Sequence, residues 1–266
     1  MQKNIDKSTS EDIIAGTERN GTERNGTERN GTETEIYVQM SLSDLIQEHK
    51  SVFVREVSYD EIKPFILKIH YARRMPCVTH SFGLFKDKEL IGVVTYGIPA
   101  SNSLCRGIAG DKNRYNVYEL NRLVILPKYN GNNYASILVG RSLRMMPRRS
   151  FIVSYADTGW GHVGYVYQAT NWLYTGLSAK RTDVYQPNGL HPRAYDKDNH
   201  SELRQTRSQK HRYVYLVGNK KERKEMMREL RYEVFKEYPK GDSKHYDTKN
   251  PKMVKPIKII GEKDNS

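Results

Sequence analysis

A turn rich in asparagine and glycine is the first place in this chain where residue types and spacing favour a chemical role. The turn Asn130-Gly131-Asn132-Asn133 joins a β-rich segment over 118–125, ended by Pro127, to a helix predicted over 135–146. Backbone N–H groups at such a turn converge beside a helix N-terminus, which favours phosphate. The same residues also suit a plain β–α connection without a ligand, so the turn alone leaves both interpretations open.

A second polar turn follows the next predicted strand. Residues 151–155 read as a short apolar strand, a loop with two glycines covers 156–162, and a short helix is predicted over 163–170. Ligands of open sheets bind beyond the carboxyl ends of strands, particularly where neighbouring strands part. We therefore expect Asp157, His162 and Tyr167 to gather at that edge.

The preceding residues predict the elements that must position these turns. Ser58-x-x-Glu61 matches a capping box that opens a helix ending near His70. Around it we predict a strand over 53–57, a hairpin of strands over 82–85 and 90–96, a loop over 97–114, a last strand over 213–217 and a helix over 220–233.

Four motifs in fixed order add a family resemblance. They are HYARRMP (70–76), ELNRL (119–123), SYAD (154–157) and GHVGYVYQATNWLYTG (161–176). In this order they resemble the phage Mom family, DNA-adenine-modifying proteins assigned to the GNAT acyltransferase fold. The resemblance covers about residues 53–217 and implies an α+β, three-layer fold whose mixed, mostly antiparallel central sheet is flanked by helices.

The resemblance also implies the site residues. By motif, the candidate catalytic residues are His70, Tyr96, Arg122, Asp157 and Tyr167. The residues expected to bind the cofactor are those of the turn and the helix start: Asn130, Gly131, Asn132, Asn133, Tyr134, Ala135 and Ser136.

The chemistry suggests a role for each catalytic group. An adenine amine must be exposed, most simply by flipping the base, and must lose a proton. Asp157 would hydrogen-bond or deprotonate the amine, and the tyrosines would stack on the base or act as an acid toward a leaving thiolate. Arg122 would hold an anionic group or pair with Glu119, and His70 would serve as a base or a ligand.

The donor is left open at this stage. The Mom product, N6-(carbamoylmethyl)adenine, protects phage DNA from host restriction, yet its new group is attached through a CH2, whereas simple acyl transfer gives an amide. The turn also departs from the usual GNAT pattern of Arg or Gln followed by Gly-x-Gly or Gly-x-Ala. Acetyl-CoA or a related acyl-CoA, another donor, and a metal-assisted step all remain alternatives, although the sequence shows no tight metal-ligand spacing.

The charge of the chain points to an anionic partner. The 266 residues carry a net charge of +13 and a pI near 9.5, and double-stranded DNA is the expected partner together with a small-molecule donor. We predict that Arg204, Arg207, Lys210 and Arg212 contact DNA phosphate, with a merely solvated face as the alternative. Two rival functions are a conventional GNAT N-acetyltransferase acting on a protein or a small amine, and a non-catalytic DNA-binding protein.

The chain divides into three stretches. Residues 1–35 carry three GTERN repeats and are expected to be a disordered tail, because the unit has no large apolar residue. Residues 36–217 form the predicted GNAT-like catalytic domain, and 218–266 a basic C-terminal helix and tail. Lacking an apolar run of roughly 20 residues or a signal-peptide core, the protein is expected to avoid membranes and to lie in the host cytoplasm. Its oligomeric state, a dimer included, is left open.

Overall fold

The computed structural model describes residues 52–185, 203–241 and 258–260. The predicted repeat tail, residues 1–35, lies outside these ranges, as does most of the predicted basic tail.

The first elements form largely as predicted. Strand β1 spans Val52–Glu56, helix α1 spans Tyr59–Pro64 and continues as a π-helical turn over Phe65–Ile69, and strands β2 (His80–Lys86) and β3 (Glu89–Gly97) form the hairpin. The capping box is confirmed, since the Ser58 hydroxyl accepts from the Glu61 N–H and the Glu61 carboxylate accepts from the Ser58 N–H. This cap sets where the helix starts and hence where His70 lies at its end.

The prediction of a loop over residues 97–114 is wrong. Asn102–Asn113 forms helix α2, with a kink at Gly110, and Ser101 caps its N-terminus. The Pro, Gly, Ser and Asn residues of this stretch suggested a loop, but two of its glycines allow close tertiary contacts. A Cβ on Gly107 would lie 2.9 Å from the Tyr232 hydroxyl, and Gly110 has φ +73° against the Arg231 guanidinium.

The central unit contains both predicted turns. Strand β4 spans Val117–Ile125, and after a 3-10 turn at Pro127–Tyr129 helix α3 spans Tyr134–Leu143. Strand β5 spans Phe151–Asp157, and after a second 3-10 turn at Thr158–Trp160 helix α4 spans Tyr165–Ala169.

The C-terminal elements include strands that the sequence pattern did not indicate. They are β6 (Leu173–Leu177), β7 (Arg181–Val184), β8 (Arg204–Arg207), β9 (Lys210–Leu216), helix α5 (Lys220–Glu229) and β10 (Ile259–Ile260). After α5 the chain packs along the sheet edge, where Phe235 bridges Tyr174 and the Tyr238 hydroxyl donates to the Trp172 carbonyl at 2.7 Å.

The described strands form a seven-stranded sheet in the order β1-β2-β3-β4-β5-β9-β6 and a small sheet in the order β10-β8-β7. In the large sheet, β4 and β5 are the parallel pair and the other neighbouring pairs are antiparallel. Helices cover both faces. Core clusters place α1, α2 and α5 on one face and α3 and α4 on the other. The predicted mixed, mostly antiparallel sheet flanked by helices is thus confirmed.

One irregularity of this sheet creates the site. The pairing of β4 with β5 covers Val117–Glu119 against Phe151–Val153. Beyond these residues β4 remains paired with β3, while β5 remains paired with β9. The two strands therefore part toward their carboxyl ends and leave a gap in the sheet.

Candidate active site

Two neighbouring cavities open where β4 and β5 part. The smaller, of about 350 Å³, lies in the gap between the strands, and the larger, of about 610 Å³, lies beside the Asn130–Asn133 turn. They form one cleft because they share lining residues, namely His70, Tyr71, Leu123, His162, Tyr165 and Val166. The two predicted turns are thus brought together, as expected from the parting of the strands.

A β-bulge in β4 shapes one wall of the cleft. The register between β3 and β4 shifts, so that Asn121 is an extra residue between Leu120 and Arg122. The Thr95 hydroxyl donates to Asn121 Oδ1 at 2.6 Å, which fixes the amide orientation. The bulge therefore presents two consecutive polar side chains, Asn121 and Arg122, to the cleft.

These two side chains hold the loop that follows His70. Asn121 Nδ2 donates to the Cys77 carbonyl at 2.8 Å, while Arg122 Nε and Nη2 donate to the Arg74 carbonyl at 3.3 and 3.0 Å. Gly97 allows the close approach, since a Cβ there would lie 1.9 Å from the Cys77 oxygen. Arg122 lines the smaller cavity, and its side-chain hydrogen bonds to Arg74 hold the loop after His70 in place.

His70 lies at the junction of the two cavities. Its Nδ1 accepts from the Ala72 N–H at 3.0 Å, so in the neutral ring the proton is on Nε2. Burial, and then the positive charge of Arg122 and the nearby His162, lower the pKa of His70 to about 3. The ring is therefore neutral at physiological pH, which keeps it available as a hydrogen-bonding group.

Aromatic rings gather around Tyr71. It stacks on His70 with ring centroids 4.3 Å apart, and its centroid lies 5.5 Å from that of Trp160 and 6.2 Å from that of His162. Burial lowers the pKa of His162, against the opposing effect of Asp157. The cleft thus offers flat, uncharged surfaces on which a heterocyclic base can stack.

Tyr167 lines the smaller cavity, as predicted, and is buried. The Ser154 hydroxyl lies 2.7 Å from the Tyr167 oxygen and 2.8 Å from the Leu120 carbonyl oxygen. Because a carbonyl can only accept, Ser154 donates to Leu120 and the phenol donates to Ser154. Burial raises the pKa of Tyr167, so the phenol stays protonated and can act as a donor or an acid.

Asp157 is placed differently from the prediction. Its Oδ1 accepts from the Gly159 N–H at 2.8 Å and from the Ser208 hydroxyl, and its Oδ2 lies 3.0 Å from Lys210 Nζ. Among the residues described as lining the two cavities, Lys210 is present and Asp157 is not. In this structure the Asp157 carboxylate orders the turn after β5.

Tyr96 is also kept away from the cleft. It is fully buried, and its hydroxyl is 2.7 Å from the Ser142 hydroxyl of α3. Burial raises its pKa. Of the described residues, neither cavity includes Tyr96 in its lining, so the structure does not place Tyr96 beside the other candidates.

The predicted cofactor turn lines the larger cavity through Asn130, Gly131, Asn132, Asn133, Ala135 and Ser136. Tyr134 points elsewhere, since it is fully buried and its hydroxyl accepts from Lys86 Nζ at 3.0 Å. The first N–H groups of α3 have no intrahelical partner, and no side-chain hydrogen bond within the described structure caps them. These donors suit an anionic group such as phosphate.

The four residues predicted to contact DNA all make intramolecular contacts. Arg204 donates to the Thr182 hydroxyl and carbonyl, and Arg212 donates to those of Thr175 and stacks on Tyr232. Arg207 pairs with Asp183 at 3.5 Å, and Lys210 pairs with Asp157. Lys210 is the member of this set that lines the cleft.

Sequence reasoning missed Glu119 as a site residue. It had been considered only as a partner of Arg122, yet its side chain lines the smaller cavity. The available signal was a charged residue inside a β-rich strand, two positions before the polar pair Asn121-Arg122. Within the described ranges, no group of three or more His, Cys, Asp or Glu side chains is arranged to hold a metal ion, and no helix is long and apolar enough to cross a membrane.

Solved structures of GNAT acetyltransferases resemble this chain only weakly. A putative acetyltransferase from Salmonella typhimurium, solved with acetyl-CoA, has a TM-score of 0.40 at 9% identity, covering 64% of this chain and 95% of that one. A GNAT-family acetyltransferase from Bacillus cereus has a TM-score of 0.38 at 14% identity, covering 63% and 99%. Likenesses at this level carry no conclusion about function, and the strand order given above defines the fold.

The family is shown by the sequence. The model described as the Mom protein family matches residues 51–240, and the chain belongs to this family. The methylcarbamoylase mom of Escherichia phage Mu is 26% identical over 133 residues, which are 48% of this chain and 54% of that relative. The chain therefore matches about half the length of this curated relative.

Proposed function

We propose that this protein modifies the exocyclic N6 amine of adenine in double-stranded DNA. The proposed product is N6-(carbamoylmethyl)adenine, and the proposed role is protection of phage DNA from host restriction. Membership of the Mom family supports this function, as does the similarity to a protein named a methylcarbamoylase.

The observation that carries the proposal is the form of the cleft. It runs from the α3 N-terminus to the gap between β4 and β5, where the rings of His70, Tyr71 and His162 meet polar side chains. Adenine in a duplex is paired and stacked, so an enzyme acting on N6 must flip it into a pocket that provides stacking and hydrogen bonds. The smaller cavity supplies both.

A phosphate-bearing donor fits the larger cavity. The Asn130–Asn133 turn and the α3 N-terminus without a side-chain cap provide backbone donors, and Gly131, with φ +92°, has nothing within 4 Å of the position of a Cβ. These residues would hold the phosphates of an acyl-CoA or related donor. When bound, such a donor would supply an electrophilic carbon and a leaving group.

The chain's own residues would then orient the acceptor. Tyr71 would stack on the flipped base and His70 Nε2–H would donate to it. The Tyr167 phenol, kept protonated by burial, would turn its proton from Ser154 toward charge that develops on the leaving group. The Asn121 and Arg122 bonds to the loop after His70 would keep the stacking surface in place.

Nucleoside mass spectrometry tests the function. DNA from bacterial cells that express the protein is digested, and the expected result is an adenosine adduct whose mass and fragmentation match a carbamoylmethyl group on N6. An acetyl group on protein amines without any DNA adduct would instead support the conventional acetyltransferase. Absence of every adenine adduct from cells containing the folded protein would overturn the proposal.

A matched pair of variants links the adduct to the cleft. Tyr71→Leu removes the stacking ring and is expected to lower the adduct level by roughly 5- to 150-fold, which corresponds to about 1–3 kcal/mol per stacked base. Tyr59→Leu removes another exposed tyrosine, on α1 and outside the lining of both cavities, and should leave the adduct level unchanged.

A further inference from the structure

Glu119 occupies the point where the sheet divides. It is the last residue of β4 that pairs with β5, opposite Val153. From the next residue onward the two strands separate, and the half-buried Glu119 side chain lines the cavity that results. Its carboxylate is thus built into the rigid base of the cleft, where side-chain placement is more precise than on a loop.

The two faces of the sheet divide the cleft into two sides. Val117 and Val153 belong to the core cluster under α2 and α5. Because side chains alternate along strands, Glu119 and Tyr155 lie on this same face. Ser154 and Tyr167 lie on the opposite face, which carries α3 and the proposed donor turn. An acceptor amine approaching opposite the donor therefore meets Glu119.

Asp157, the other carboxylate near the site, is unsuited to this role. Its two oxygens are taken by the Gly159 N–H, the Ser208 hydroxyl and the Lys210 ammonium. These contacts hold the carboxylate in the turn after β5, and Asp157 is not among the described residues that line either cavity.

We infer that Glu119, rather than Asp157, accepts the proton from the acceptor amine. The inference rests on the proposed function and deepens it. As the amine nitrogen forms its bond to the donor carbon, the bond from that carbon to its leaving group breaks, and the leaving group takes the bonding electron pair. The nitrogen gives one proton to the Glu119 carboxylate, and the resulting neutral acid returns it to solvent.

Adduct levels in cells that express matched variants test this inference. Glu119→Gln keeps the shape of the side chain but cannot accept the proton, and the adduct level should fall by about 100-fold or more. Glu119→Asp keeps the carboxylate and should retain a measurable fraction of activity. Asp157→Asn should keep more adduct than Glu119→Gln.

A second measurement separates catalysis from folding and from base flipping. Purified wild-type protein and Glu119→Gln are mixed with a duplex containing 2-aminopurine, whose fluorescence rises when the base leaves the stack. Equal fluorescence and equal thermal melting, together with loss of the adduct, would support proton transfer by Glu119.

The failing outcomes are distinct. Wild-type adduct formation that persists in Glu119→Gln would overturn the role of Glu119 while leaving the proposed function in place. Absence of adduct in the wild type would overturn both. If Glu119→Gln does not fold, Glu119→Asp decides. An adduct level that is reduced but still measurable, in a variant that melts like the wild type, supports the inference. An adduct level equal to that of the wild type, or no adduct at all from such a variant, overturns it.

Discussion

The Arg122 guanidinium donates two hydrogen bonds to the carbonyl oxygen of Arg74, 48 residues earlier in the chain, at 3.3 Å from Nε and 3.0 Å from Nη2. The planar fork of arginine makes this contact, and a lysine ammonium would keep the charge but not the geometry. The contact joins the bulge of β4 to the loop that carries His70 and Tyr71.

Arg122→Lys should therefore release that loop. We expect the free energy of unfolding to fall by about 1–2 kcal/mol and the adduct level to fall as well, because the stacking surface is less well held. Denaturant unfolding and nucleoside analysis measure the two effects. Arg106→Lys, which alters an exposed ion pair with Asp111, is the control. Equal losses of stability and of adduct in Arg122→Lys and Arg106→Lys would contradict the role of the Arg122–Arg74 contact in holding the loop.

Gly97→Ala should destabilise the protein. The added Cβ would lie 1.9 Å from the Cys77 oxygen and 2.8 Å from Asn121 Nδ2, so the loop must move, with a loss on the order of 1–3 kcal/mol. Gly140→Ala in α3 is the matched control, since its Cβ would meet only Thr170 at 3.9 Å. That change should stabilise the helix by about 0.5–1 kcal/mol. Thermal melting of the two variants should shift in opposite directions.

Ser136→Glu should separate stability from donor binding. Ser136 is the third residue of α3 and lines the larger cavity. A carboxylate there interacts favourably with the helix dipole and should stabilise the fold by about 0.3–1 kcal/mol, while it repels a phosphate group. Calorimetric titration with coenzyme A should show weaker binding for Ser136→Glu than for the neutral Ser136→Gln. Equal binding of coenzyme A by both variants would argue against the turn as a phosphate site.

Asp157→Asn should reveal a structural role. The change removes the negative charge opposite Lys210 and weakens the hydrogen bond that the side chain accepts from Ser208. We therefore expect the free energy of unfolding to fall by about 1–3 kcal/mol. Ser208→Ala removes a partner of the same carboxylate and should act in the same direction on melting and adduct level. A large loss of adduct in Asp157→Asn with wild-type melting would instead restore Asp157 as a catalytic candidate.

Acid should destabilise the wild type through His70. Its pKa is lowered from 6.5 to about 3 in the folded protein, so between these values the unfolded chain binds more protons and stability falls as pH falls. His70→Asn keeps an acceptor for the Ala72 N–H but cannot titrate. Melting temperatures recorded from about pH 7 to about pH 4 should fall less for His70→Asn than for the wild type. If melting temperature depended on pH in the same way for both proteins, the assignment of His70 as a buried, neutral imidazole would be contradicted.

Structural features that depend on neighbouring residues were predicted correctly from the sequence. The Ser58–Glu61 cap, the β2–β3 hairpin and the asparagine-rich turn before α3 depend on interactions within a few residues, and each forms as predicted. The ordered motifs likewise indicated the family. Asp157, His162 and Tyr167 were expected to gather at one edge of the sheet. His162 and Tyr167 line the same cavity, whereas Asp157 is not among its lining residues.

Tertiary packing decided the rest. The Pro, Gly, Ser and Asn residues around α2 suggested a loop because they act on local conformation, whereas the helix is stabilised by burying Cys105, Ile108 and Ala109. No pattern along the chain shows that β9 inserts between β5 and β6. For the same reason the sequence alone could not distinguish the surroundings of two carboxylates. Asp157 contacts Ser208, which lies between β8 and β9, and Lys210, which begins β9. Glu119 lines the cleft because β4 and β5 part beside it. Motif and turn chemistry are local, but which polar group faces a cavity depends on contacts between residues far apart in sequence.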